Sequence, residues 1–189
     1  GIILFGLNTN AGGSKFYGIE FTGNYSSSSI QLNSPTNNIL FEDCKFNFSV
    51  YFINISASNW IFRNCIFDSN NALNIQVGGT TALISNVLFT NCVFDGYIDG
   101  YINPNVNFNF DHCLFLTTST NAFYNLNYAT VTNCIFMNAF PCCTAANSVF
   151  NNNLCRVPGT FPPTGAGNTG SGNISATDPT FTTFTNGSY

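Results

Sequence analysis

The chain has 189 residues, enough for one domain with a sizeable core. Only 6% of them are charged and 16% are aromatic, so Asn, Ser, Thr and Gly supply most of the polarity. Four basic residues and a net charge of −4 exclude a phosphate-binding surface, and with it nucleic acid as a partner. No apolar run reaches the roughly 18 residues that a membrane span needs. A neutral polar surface of this kind suits a secreted or cell-surface protein, and the start at Gly1 reads as a trimmed product of an exported precursor.

In chain order, GIILFGLNTNAGG (1–13) predicts an apolar strand and a Gly-rich turn, part of an incomplete first coil. One phrase then recurs: FYGIEF (16–21), FEDCKF (41–46), FRNCIF (62–67), FTNCVF (89–94), FDHCLF (110–115), VTNCIF (131–136) and FNNNLC (150–155). Its fourth residue is Ile19, Cys44, Cys65, Cys92, Cys113, Cys134 or Asn153, at steps of 25, 21, 27, 21, 21 and 19 residues. A period near 21 with one strand-like motif per repeat is the mark of a solenoid. Within FRNCIF, Phe62 and Cys65 are an odd step apart and Cys65 and Phe67 an even one. A single strand cannot turn all three to one face, so the chain must bend between them. The bend falls on the column Asp43, Asn64, Asn91, His112, Asn133 and Asn152, residue types that tolerate left-handed backbone angles. Two residues before the first Phe runs a further interior column: Ser14, Ile39, Trp60, Val87, Phe108, Ala129 and Ser148. Upstream strands are visible as SIQLN (29–33) and YFINI (51–55), and QVGGTTA (76–82) reads as a loop that absorbs the longest step.

Strand, corner, strand and upstream strand make three strands per coil. The predicted fold is all-β: one right-handed parallel β-helix of about seven coils over 1–157, a rod of roughly 30 Å at the ~4.8 Å strand spacing. A Pro/Gly-rich linker and closing tail follow over 158–189. These stacked columns and the Asn corner resemble the pectate-lyase-like superfamily over residues 14–157, and GNISATDPTF (172–181) resembles the closing segment of secreted bacterial members, lying across the last coil. The resemblance implies a fold and leaves activity open, since that superfamily holds lyases, hydrolases, adhesins and fibres. A shifted register, with the Ile66 column inside and the Phe67 column outside, is the rival reading.

Cys44, Cys65, Cys92, Cys113 and Cys134 share one predicted interior column. Parallel side chains make a disulfide torsion awkward there, so they are expected as free thiols serving as small hydrophobes. Cys142, Cys143 and Cys155 stand apart, which leaves open a bridge from Cys155 to one of the pair. With one His and no paired CxxC spacing, no metal or other cofactor is expected.

The strongest chemical candidates are Asp68 and Asp95, each three residues after its cysteine and therefore stacked on neighbouring coils. Such a pair suits Ca²⁺ or glycoside cleavage, against the blander reading of two solvated turn residues. Lyase activity would also need a basic residue, and around Lys15, Lys45, Arg63 and Arg156 no motif of the resembling superfamily stands, so no catalytic residue is assigned. Asp111 and His112, as strand neighbours, are expected to face opposite ways. Five Asn-X-Ser sequons and scattered Thr residues carry little, and no single Thr column forms. The column between the cysteine and the final Phe turns apolar along the chain: Glu20, Lys45, Ile66, Val93, Leu114, Ile135, Leu154. Facing outward, its last five residues form an interface stripe, covered either by the chain's own Phe161, Phe181 and Phe184 or by a neighbouring subunit. The sequence thus points to a non-catalytic extracellular structural or adhesive module that self-associates, with a fibre as the expected form of assembly. The alternative is a carbohydrate-active β-helix acting on polysaccharide.

Overall fold

The computed structural model describes residues 2–7, 11–22, 28–32, 35–53, 56–69, 73–78, 83–100, 106–117, 121–137, 140–142, 145–156 and 166–175. Three long parallel sheets face one another around a single core, beside a two-stranded one made of Leu126–Asn127 and Ala145–Ala146. The first contains Ile2–Leu7, Ser28–Leu32, Ser49–Ile53, Leu73–Gly78, Tyr97–Asp99, Asn121–Tyr124 and Phe140–Cys142. The second runs from Lys15–Tyr17 through Leu40–Glu42, Ser56–Arg63, Leu83–Thr90, Val106–Asp111, Thr130–Thr132 and Val149–Asn151 to Thr169–Ser171. The third is built from two-residue strands, Glu20–Phe21, Lys45–Phe46, Ile66–Phe67, Val93–Phe94, Leu114–Phe115, Ile135–Phe136, Leu154–Cys155 and Ile174–Ser175. Each strand pairs with its counterpart one coil away, so the fold is a parallel β-helix in which about five turns hold close to 21 residues.

The register is the one that puts the Phe columns inside. Phe67 is wholly buried while Ile66 beside it is 36% exposed, which disposes of the rival reading. Pairing of Phe67 with both Phe46 and Phe94 brings rings into face-to-face ladders. Phe21, Phe46, Phe67, Phe94, Phe115 and Phe136 stack with centroids 4.7–5.1 Å apart and planes within 10°. Phe16, Phe41, Phe62, Phe89 and Phe110 form a second ladder at 4.8–5.0 Å. The two meet edge to face, as in Phe62–Phe67 at 5.6 Å and 62°. That crossing satisfies the ring quadrupoles and excludes water from the corner. Ile39, Trp60, Val87, Phe108, Ala129 and Ser148 are buried as their column predicts.

The corners are left-handed. Asp43, Asn64, Asn91, His112, Asn133 and Asn152 all have φ of 53–55°. A second left-handed corner lies five residues earlier, at Asn38, Asn59, Asn86, Tyr128 and Asn147, with φ of 53–61°. Sequence reasoning missed it because its four Asn residues are hidden in an Asn-rich background and its fifth member is Tyr128. Exposed amides stack at both corners, Asn59 donating to Asn38 at 3.1 Å and Asn64 to Asp43 at 3.0 Å.

Two segments differ from expectation. Gln76 to Gly78, read as loop, belong to the strand Leu73–Gly78. The segment 169–175 does not lie across the last coil but extends it, Thr169 pairing with Val149 and Ile174 with Leu154 in parallel. The third sheet therefore has eight strands, one more than the seven coils counted in the sequence. Glycine permits this close approach, since a Cβ at Gly170 would run into the carbonyl oxygen of Phe150.

Removing one rung of the ladder tests this account. Phe89→Ala should cost about 3–5 kcal/mol of unfolding free energy in urea titration, and Leu88→Ala on the half-exposed face under about 1.5 kcal/mol.

Candidate functional surfaces on the β-helix

The cysteine column is interior, and all five of its thiols are free and buried. Their role is more polar than expected. Each Sγ approaches the carbonyl oxygen of the first motif residue one coil back, Cys65 to Phe41 at 3.5 Å, Cys92 to Phe62 at 3.3 Å and Cys113 to Phe89 at 3.4 Å. At the next coils Asn153 does the same with an amide, donating to Val131 at 2.9 Å, and Asn173 donates to Phe150 at 2.8 Å. On its other side the column accepts from backbone: Cys113 N–H reaches Cys134 Sγ at 3.4 Å and Cys134 N–H reaches Asn153 Oδ1 at 2.8 Å. Cys and Asn therefore serve one purpose, pairing backbone groups that the corner would otherwise strand. Burial pushes the Cys92 and Cys134 thiols upward, whereas hydrogen bonds from neighbouring thiols draw Cys65 and Cys113 down, so it is burial of the whole column that shields it from reagents. Cys155 is also buried, but in the Phe column, where it follows Phe136. Cys143 and the side chain of Cys142, the other ends of the bridge considered above, lie outside the described residues.

Asp68 and Asp95 do come together, on neighbouring coils just beyond the third sheet. Lys45 joins them, its Nζ 3.2 Å from Asp68 and 3.7 Å from Glu20. Asp95 is tied into the turn: its Oδ1 accepts the Ser69 N–H at 2.7 Å and the Asn74 amide at 3.4 Å. Asn74, itself buried, donates to Ser69 Oγ at 2.7 Å and accepts the Gly96 N–H at 2.6 Å. Burial raises the Asp95 carboxyl; the Ser69 and Asn74 hydrogen bonds oppose this, and the Asp68 charge adds to it. Among the described residues no three acidic, His or Cys side chains converge as a metal site would need. The pair is therefore built into a corner that joins two coils.

Asp111 and His112 contradict the expectation that they diverge. Nδ1 of His112 lies 3.0 Å from Oδ2 of Asp111, because the left-handed φ of 54° turns the imidazole back beside its neighbour. Burial alone would raise the Asp111 carboxyl, but hydrogen bonds from Asn133, His112 and Thr132 hold it below its usual range. No serine lines the adjacent groove beside this couple, and the one thiol among its lining residues, Cys113, is buried and directed at the Phe89 carbonyl at 3.4 Å.

The column after the cysteines faces outward, with Ile66 exposed and Val93, Leu114, Ile135 and Leu154 half-buried. Ile66, Val93, Leu114, Ile135 and Leu154 pair rung to rung, and Ile174 continues the column at 59% exposure. Leu116 and Met137, two residues beyond Leu114 and Ile135, widen it into a groove of about 240 Å³. His112 and Asn133 form its polar edge. Phe161, Phe181 and Phe184, expected as one possible cover, lie outside the described residues.

No protein-family model matches the chain, and no curated protein is detectably similar to it. Among the described residues no helix is long and apolar enough to cross a membrane. The chain is an all-β parallel β-helix of repeating coils.

Two measurements check these assignments. Thiol reagents should leave the native column unmodified and titrate it only in denaturant. Cys134→Asn should fold, whereas Cys134→Val should cost about 1–3 kcal/mol by orphaning Cys113 N–H. For the acidic pair the sign follows from its raised carboxyl. A folded-state pKa above the unfolded value of about 3.9 gives stability that is full below that value and lost as pH rises through the folded pKa. Asp95→Asn keeps the Ser69 acceptor and removes repulsion from Asp68, so it should match the parent at pH 3 and exceed it at pH 7 in urea titrations.

Proposed function

We propose that this protein is a non-catalytic structural or adhesive β-helix that associates with further copies of itself along the third sheet. The observation that carries this reading is the outward apolar column from Ile66 to Ile174 with its groove at Leu114, Leu116, Ile135 and Met137. Single exposed apolar residues need no explanation, but a contiguous stripe aligned along a solenoid favours a partner of matching periodicity. A second copy supplies that periodicity automatically, since identical coils repeat at the same spacing. Charge is too sparse to hold such surfaces apart: four cations and eight anions serve 189 residues. Secretion, and kinship with the pectate-lyase-like superfamily, belong to this proposal as the setting in which such modules work.

A second reading, a carbohydrate-active β-helix, draws on the Lys45–Asp68–Asp95 grouping. A raised carboxyl beside an ion-paired one is the pattern of a proton donor and its partner. The hydrogen bonds that tie Asp95 to Ser69 and Asn74 favour the structural role instead.

Light scattering should show concentration-dependent particle growth that Ile135→Lys weakens without lowering monomer stability. A concentration-independent monomer would sink the assembly proposal. No turnover of polygalacturonate or neutral glucans is expected, with or without Ca²⁺; turnover lost in Asp68→Asn would promote the enzyme reading.

A further inference from the structure

A different face of the β-helix carries a grouping that the repeat motif does not reveal. On the outer side of the first sheet, Tyr51 pairs with Gln76, Gln76 with Asp99, and Asp99 with Tyr124, forming one column across four strands. Tyr97 lies two residues before Asp99 on the same outward face, and all five side chains are partly exposed. The Tyr97 and Tyr124 rings meet edge to face at 5.1 Å and 69°. Asp99 also accepts the Asn125 amide at 3.2 Å. Three of the chain's eight tyrosines thus gather about one carboxylate. Their phenols feel it: burial and the Asp99 charge raise both Tyr51 and Tyr97.

From this geometry we infer a binding site for an extended neutral glycan, with pyranose rings stacked on Tyr51, Tyr97 and Tyr124 and hydroxyls donated to Asp99 and Gln76. The inference rests on the adhesive reading above and gives it a ligand class. Tyrosine offers a flat apolar face and a polar tip, which matches a sugar ring with apolar C–H faces and hydroxyl edges. A carboxylate accepts sugar hydroxyls through strong charge-assisted bonds. The sheet rises about 4.8 Å per strand, close to the length of one pyranose residue along an extended chain. The column therefore presents a contact for each of several successive sugars. Charge decides against acidic polysaccharides. All four cations lie off this sheet, Lys15 and Arg63 on the second, Lys45 on the third and Arg156 just past it, leaving Asp99 to repel a polyanion. The edge-to-face pair at 5.1 Å is in ring contact, which leaves no space between Tyr97 and Tyr124 for a quaternary ammonium.

Affinity electrophoresis through gels containing hydroxyethyl cellulose, xylan or galactomannan, with polygalacturonate as the polyanion, tests this. Retardation in at least one neutral gel is expected. Tyr51→Ala and Tyr97→Ala should weaken it at least about tenfold, equivalent to roughly 1.4 kcal/mol each. Asp99→Ala should weaken it too. These side chains point outward, so unchanged circular dichroism verifies the fold. Equal migration of parent and tyrosine variants in every neutral gel would overturn the glycan assignment. Retardation by polygalacturonate alone, or displacement by choline in preference to soluble oligosaccharide, would also overturn it. Light scattering on the same samples separates the two proposals. Loss of self-association with glycan binding intact breaks the assembly reading alone, and glycan binding lost with particle growth intact breaks this one alone.

Discussion

Ring stacking at the spacing of paired strands governs this molecule. A parallel pair of strands holds its backbones about 4.8 Å apart, and offset-stacked phenyl rings prefer a centroid separation in the same range. The centroid distances of 4.7–5.1 Å show both preferences met at once, coil after coil. A residue inserted or lost within a motif would move Phe from the core face to the solvent face, so the ladders also fix the register. Bulges and longer steps are tolerated only where the ladders do not run, as between Ile84 and Val87 or Leu73 and Ile75.

The sharp corner beside the ladders has a cost, since a bend interrupts strand hydrogen bonding and demands a left-handed residue. The chain meets both demands with short polar side chains. Asn, Asp or His takes the left-handed position, and the next residue turns inward to pair the stranded backbone groups. That inward position is Cys in the middle coils and Asn at Asn153 and Asn173. The middle coils pair large aromatic rings above and below. The later coils lose rings, with Val131, Gly170 and Cys155 in the Phe columns. Size accounts for the exchange, because a thiol fits beside stacked phenyl rings where an amide needs more room.

With the interior committed to packing and the corners to backbone pairing, only the outward columns are free to differ between coils. They do so in blocks. The third sheet begins with Glu20 and Lys45 and becomes apolar from Ile66 onward. The first sheet gathers Tyr51, Gln76, Asp99 and Tyr124. Any function of the protein is therefore written in side chains that the fold itself does not require, which is where a solenoid can vary without unfolding.

The sequence by itself determined the coil, the cysteine and phenylalanine columns, the first corner and the outward stripe, because each is a fixed offset from a motif that repeats on one strand path. His112 as an Asn substitute was legible for the same reason. Only the tertiary structure decided which groups from different offsets meet. The contact of Asp111 with His112 depends on a backbone angle, not on strand alternation. The tie of Asp95 to Asn74 joins residues 21 apart through a turn whose length no motif marks. The tyrosine cluster escaped notice because Tyr51, Gln76, Asp99 and Tyr124 are separated by 25, 23 and 25 residues, off the 21-residue period. Irregular turns shift the first sheet relative to the motif, and only three-dimensional pairing restores those residues to one column.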